Sequence, residues 1–102
     1  MTGENVIPLR MTPVAALKMI RQLAEDSDRI VIVGHGRKRQ RERKITRPQV
    51  EFCLRKGFID EGPFLNEHGN WQSTMCCQHA GDELTVVVAI DWPSQLIVIT
   101  TY

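Results

Sequence analysis

The spacing of apolar residues changes near Gly57, and that change does most to limit the folds open to this chain. Before Gly57, apolar residues recur every three or four positions: Ala16, Leu17, Ile20, Leu23 and Ala24, then Val50, Cys53 and Leu54. After it they come in runs of strand length, Val86 to Ile90 and Leu96 to Ile99. The first spacing lines one face of a helix and the second fills a strand. The exception is the short β-branched run Arg29 to Val33, a strand inside the first half. A helix-rich first half packed on an antiparallel sheet from the second half is the α+β arrangement.

Start and stop signals place the elements. Thr12–Pro13 is an N-cap followed by proline at the first helical position, which predicts a helix over 13–26, ended by Asp26-Ser27-Asp28. Gly34-His35-Gly36 reads as a flexible turn, and 37–44 as a helix with almost no apolar residue. Thr46 and Gln49 have capping-box spacing, Ile45 can staple onto Val50, and Gly57 stands where a C′ glycine belongs, so a helix is expected over 47–56. Phe58–Ile59 opens a short strand and 60–69 reads as loop. Strands then follow over 71–80, 83–91 and 96–102, joined by turns at Gly81-Asp82 and at 92–95. The last two strands are apolar on both faces and belong in the middle of the sheet. One domain over 12–102, preceded by a flexible arm over 1–11, accounts for the chain.

A hydrophobic fraction of 42% beside 25% charged residues is ordinary for a globular protein and does not suggest a disordered chain. No stretch has the length of a membrane span, and Met1 to Arg10 lacks the apolar core of a signal peptide, so no membrane association and a cytoplasmic location are expected. Three cysteines, two of them adjacent, make a poor disulfide framework. Cys76, Cys77 and His79 cluster in sequence, but zinc sites use spaced pairs, and adjacent strand residues point to opposite faces. No metal and no cofactor are expected.

The net charge of +1 conceals a strong asymmetry. Between Gly36 and Arg47 stand seven basic residues, Arg37, Lys38, Arg39, Arg41, Arg43, Lys44 and Arg47, with Glu42 the one acid, so this segment carries +6. The remainder carries −5. One electropositive face on a mildly acidic body suits a polyanion, above all nucleic acid. On a helix, His35, Arg39, Glu42 and Arg43 share one face, while Arg37, Arg41 and Lys44 lie on another. An imidazole and a carboxylate are general acid–base groups, and guanidiniums clamp phosphate and stabilise its developing charge. RNA carries its own nucleophile, the 2′-hydroxyl, so its cleavage requires only a base, an acid and cations around the phosphate. The plainer account is a solvated face on which Glu42 pairs with an arginine of its own helix.

The stretch His35-Gly36-Arg37-Lys38-Arg39-Gln40-Arg41-Glu42-Arg43-Lys44-Ile45-Thr46 resembles the His-Ala-x-x-Arg-Met-x-Glu-Arg-Gly-Ile-[Ser/Thr] signature of the domain of unknown function 4258 family. Leu54-Arg55-Lys56-Gly57, Glu83 to Val88 and Val98 to Tyr102 extend the resemblance over roughly residues 29–102. The sequence departs from the pattern at Gly36, Gln40 and Lys44, none of which removes a charged group. The family looks like a branch of the RelE-like and MqsR-like endoribonuclease fold, in which helices pack on a curved antiparallel sheet and RNA crosses the open face. The resemblance implies metal-independent RNA cleavage as the toxin half of a bacterial toxin–antitoxin pair, with a small antitoxin, often of zinc-finger type, as partner. His35, Arg39, Glu42, Arg43, Thr100 and Tyr102 occupy the matching positions. In the implied roles His35 or Glu42 is the base, Arg39 and Arg43 hold the phosphate, and Tyr102 is acid or positioning group. Arg37, Lys38, Arg41, Lys44 and Arg47 would bind the nucleic acid.

Two other readings compete. A non-catalytic binding module would use residues 37–56 as a superficial helix-turn-helix, although its second helix offers only Gln49, Glu51, Arg55 and Lys56 to bases. A degenerate family member would bind only a protein partner. Trp71 and Trp92 read as core or turn anchors, with base stacking the alternative. His68 and His79 receive no role.

Overall fold

The computed structural model describes residues 10–102. Three helices, α1 (Pro13–Ala24), α2 (Gly34–Arg43) and α3 (Arg47–Lys56), pack with five strands. The strands are β1 (Ile30–Ile32), β2 (Phe58–Leu65), β3 (Trp71–His79), β4 (Asp82–Asp91) and β5 (Gln95–Thr101), in the order β1-β5-β4-β3-β2. The fold is α+β, as expected, and β4 and β5 are interior strands. One pairing departs from expectation: β1 runs parallel to β5, with Ile30 beside Leu96 and Ile32 beside Val98, so the sheet is mixed. Spacing along a chain reports which residues form strands but not which strands meet, and here the first strand joins the last.

The caps form as their sequence signals require. Thr12 accepts at its side chain from the Ala15 amide (3.1 Å) and starts α1. That helix stops at Ala24, short of the expected end, and Asp26 caps a 3-10 turn over Ser27–Arg29 instead. At α3 the capping box is complete: the Gln49 amide donates to Thr46 Oγ1, and the Thr46 amide donates to Gln49 Oε1 at 2.8 Å. Gly57 follows α3 with φ −78°, so its glycine is not needed for a left-handed turn. It is needed for space, because a Cβ there would sit 2.5 Å from the Cys53 carbonyl oxygen and 2.6 Å from that of Cys76.

α1 and α3 supply the helical side of the core. Ile20, Leu23, Val50 and Leu54 meet Leu84, Val86, Val88 and Ile90 of β4 and Leu96 and Val98 of β5. Met11 also packs there, while Arg10 is exposed; the rest of the segment expected to be an arm lies outside the described residues. α3 is further tied down by Glu51, which accepts from Ser27 Oγ (2.7 Å), Arg47 Nε (2.8 Å) and Arg55 (3.0 Å). The Ser27 hydroxyl foremost, with the two guanidiniums, holds the Glu51 carboxyl below the usual carboxylate range, against the opposing effect of burial.

β2 is longer than expected and runs through the segment read as loop. Its residues lack alternation because it is an edge strand, largely exposed along its length, with register shifts around Glu61 against β3. β3 and β4 are joined by the two residues Ala80 and Gly81, both at positive φ, so that His79 stands directly opposite Asp82. Among the described residues no helix is long and apolar enough to cross a membrane.

Candidate nucleic-acid interface and active site

α2 begins at Gly34, before the expected start, so His35 lies in its first turn rather than in a flexible connection. Two glycines and no capping side chain make a poor helix start in isolation. Packing decides the matter. A Cβ at Gly36 would lie 3.0 Å from both Ile32 Cγ2 and the Val98 carbonyl oxygen, so the helix comes almost to backbone contact with β1 and β5. Arg37 reaches back and donates from Nε to the Ile32 carbonyl (2.9 Å). At the other end Lys44 adopts the left-handed conformation (φ 56°, ψ 39°) and closes the helix, and the Ile45 amide donates to the Gln40 carbonyl (2.8 Å). The helix thus turns Gly36 inward and leaves His35, Arg37, Lys38, Arg41, Glu42, Arg43 and Lys44 exposed. Cations in its last turn also face the negative end of the helix dipole.

Several of the expected residues are brought together. Arg43 and Lys44 line one wall of a cleft of about 300 Å3 whose other walls include Tyr102, His79, Asp82 and Glu83. Tyr102 is held by paired backbone hydrogen bonds with Thr85 (2.7 and 2.9 Å), and its side chain is exposed. α2 packs on β5, and each element carries a buried polar atom with no partner: Nε of Arg39 and Oγ1 of Thr100. Buried polar atoms are normally satisfied, and these two are among seven such atoms in the described residues.

Other residues are placed differently. Glu42 lies 3.8 Å from Arg39 on its own helix, a long ion pair with both partners well exposed. His35 is exposed and lines none of the clefts described. Arg47 is occupied structurally: beyond Glu51, it donates to the carbonyls of Ser27 (2.9 Å) and Ile30 (2.8 Å), locking α3 to the start of β1. Trp71 and Trp92 pack against the core as anchors. His68 is exposed beside Glu67.

Cys76 and Cys77 sit on β3 opposite Thr85 and Leu84, pointing to opposite faces. Burial raises the thiol pKa of Cys76, and Asp60 and Glu83 push it the same way; burial likewise pushes the Cys53 thiol up. Among the described residues no three His, Cys, Asp or Glu side chains gather as a metal would require.

Sequence reasoning gave no role to His79, which the hairpin carries into the cleft. Its ring meets Phe52 edge-on with centroids 4.7 Å apart, and its Nδ1 is buried without a partner. The signal was available in the short turn before Asp82, which fixes the pairing of His79.

Fold and surface together define a small α+β domain with a basic helix seated on the end of a sheet and a mixed-charge cleft beside it. Residues 32–102 match the model of the family described as "Domain of unknown function (DUF4258)", and the chain belongs to that family. No curated protein and no solved structure matches the chain.

Proposed function

We propose that this domain cleaves RNA, using the 2′-hydroxyl of its substrate as nucleophile, and serves as the toxin half of a bacterial toxin–antitoxin pair. The observation that carries the reading is the meeting of Arg43, from the basic helix, with Tyr102, from beyond β5, in one cleft. Guanidinium and ammonium groups on one wall can hold a phosphate, and a phenol on another can protonate the departing 5′-oxygen. Arg39 and Thr100 stand on the packed elements α2 and β5 and do not line that cleft. Exposed Arg37, Lys38 and Arg41 extend the cationic surface along which the strand would lie. Arg47 contributes by positioning α3.

On this reading the domain shares the RelE-like fold, needs neither metal nor cofactor, works in the cytoplasm and is neutralised by a cognate antitoxin, of zinc-finger type in many relatives of that fold. The test is induced expression followed by mapping of RNA ends, wild type beside Arg43→Ala and Tyr102→Phe. Growth arrest with new 5′-hydroxyl ends, lost in both variants and blocked by 2′-O-methyl substitution of a purified substrate, is the expected result.

The Arg39–Glu42 pair and the exposed His35 favour a second reading, a non-catalytic module that binds nucleic acid through a solvated charged face. Salt-sensitive binding by a folded protein that leaves RNA intact would select it.

A further inference from the structure

We propose that Cys53 and Cys77 form a site of reversible oxidation, at which hydrogen peroxide joins the two thiols in a disulfide that fastens α3 to β3. The pair plays no part in the ribonuclease reading above. Strand register decides which of the two adjacent cysteines faces the helices. Cys77 is paired with Leu84 and Cys76 with Thr85. Leu84 is buried in the core that the helices share with the sheet, so the Cys77 side chain is turned toward α3 and that of Cys76 away from it.

Cys53 meets it from the other side. Its side chain is fully buried on α3, and its Sγ donates to the carbonyl of Leu84, the cross-strand partner of Cys77, at 3.9 Å. Gly57 brings helix and strand this close: its Cβ position lies 3.3 Å from Cys53 Sγ and 2.6 Å from the carbonyl oxygen of Cys76, whose carbonyl carbon is bonded to the Cys77 nitrogen. The thiols of Cys53 and Cys77 stand within hydrogen-bonding reach of each other. They differ in access. Cys77 is half-buried and lines a cavity of about 480 Å3 with Phe52, Lys56 and Phe58, wide enough for a small oxidant. Cys53 is shut off from solvent, and burial foremost, then its contact with Cys77, raises its pKa and keeps it a thiol. Cys77 therefore meets the peroxide, and Cys53 reacts second.

The chemistry runs in two steps. The Cys77 sulfur, as thiolate, attacks one peroxide oxygen, the O–O bond breaks, and the departing hydroxide takes up the proton that the thiol released, giving water and a sulfenic acid on Cys77. The Cys53 sulfur then attacks the sulfenic sulfur, the S–O bond breaks, and hydroxide leaves with the Cys53 proton as a second water. Two thiols are oxidised to one disulfide, and one hydrogen peroxide is reduced to two waters. A small thiol returns the pair by exchange. The bridge closes a loop that contains all of β2 and most of β3, so the unfolded chain has less freedom to gain.

The experiment exposes the reduced full chain to hydrogen peroxide, then denatures it, alkylates the remaining thiols and maps its peptides by mass spectrometry, for the wild type, Cys76→Ser and Cys77→Ser. In the wild type the alkylatable cysteines fall from three to one, and Cys53 is found linked to Cys77 within a single chain. The Tm of the oxidised protein rises by roughly 10 °C and falls back on addition of dithiothreitol. Cys76→Ser forms the same link, and Cys77→Ser forms none. A link that uses Cys76, a link between two chains, or a folded wild type that keeps all three thiols overturns the proposal. A Cys53–Cys77 link that leaves Tm unchanged or lowers it overturns the fastening role. Should Cys77→Ser fail to fold, fragmentation of the wild-type linked peptide between Cys76 and Cys77 shows which sulfur is bridged.

Discussion

Replacing Gly57 with alanine tests the packing account most directly, because the structure gives the collision it would cause. The added Cβ would stand 2.5 Å from the Cys53 carbonyl oxygen, 2.6 Å from the Cys76 carbonyl oxygen and 3.3 Å from Cys53 Sγ. Real Cβ atoms essentially never come within 3.0 Å of such neighbours, and two of these three are backbone atoms that cannot rotate aside. Relief requires the end of α3 to lift from β3. That movement strains the Gly57 amide bond to the Cys53 carbonyl (2.8 Å) and the bond from the Arg21 guanidinium to the Gly57 carbonyl (2.8 Å). Overpacking costs about 1–3 kcal/mol, and one weakened hydrogen bond adds about 1 kcal/mol. The smaller freedom of alanine in the unfolded chain returns about 0.4–1 kcal/mol. The net loss is about 2–3 kcal/mol, a drop in Tm of roughly 10–20 °C for a domain of this size. Gly34→Ala is the control: nothing lies within 4 Å of its Cβ position, and at the first residue of α2 alanine should leave stability unchanged or raise it by about 0.5 kcal/mol. Urea titration and thermal melts of both variants give the comparison. A Gly57→Ala protein within about 0.5 kcal/mol of wild type, the ordinary range of an inert surface substitution, would refute the argument.

Other outcomes follow from the same contacts. Lys44→Gly should stabilise the domain by about 0.5 kcal/mol in urea titration, since a left-handed residue costs about 1 kcal/mol without glycine, partly offset by glycine's freedom when unfolded. Glu51→Gln should cost about 1–2 kcal/mol at neutral pH, the mean strength of charge-assisted bonds discounted for the exposure of Arg47 and Arg55. Because folding lowers the Glu51 pKa, its contribution is present above the ordinary value of 4.5 and lost as pH falls through the lowered one, so melts of the two proteins should converge in acid. Arg47→Ala should lower stability by about 2 kcal/mol through its lost hydrogen bonds, whereas Arg41→Ala should leave the melt unchanged and reduce the salt slope of RNA binding by about one.

What the sequence disclosed depended on how local the governing interaction is. The Thr46–Gln49 box and the Thr12–Pro13 cap act within one turn, and both ends form where their residues stand. The start of α2 was hidden because Gly34 and Gly36 disfavour helix on their own, and only the approach of β5 explains Gly36. β2 was hidden because an edge strand with a solvated surface needs no alternation of polar and apolar residues. The basic face of α2 was legible as charge. The division of labour within it was not: Arg47 looks in sequence like one more phosphate ligand, yet its guanidinium is spent on three protein oxygens. His79 carries no charge run or motif around it, and its place depends on a hairpin register and on the fold of α2.

The parallel pairing of β1 with β5 has a consequence for the order of events as the chain emerges from a ribosome. Ile30 to Ile32 have no strand partner until Leu96 to Val98 are made, and the seat of Gly36 is built from the carbonyls of Val98 and Ile99. Contacts between positions so distant in sequence form late and cooperatively, after the entropy of closing the long intervening loop has been met. The basic helix is therefore synthesised early but docked late. Throughout translation of the hairpins its cations lack their seat on β5, and the cleft lined by Tyr102 is complete only once that strand is in place.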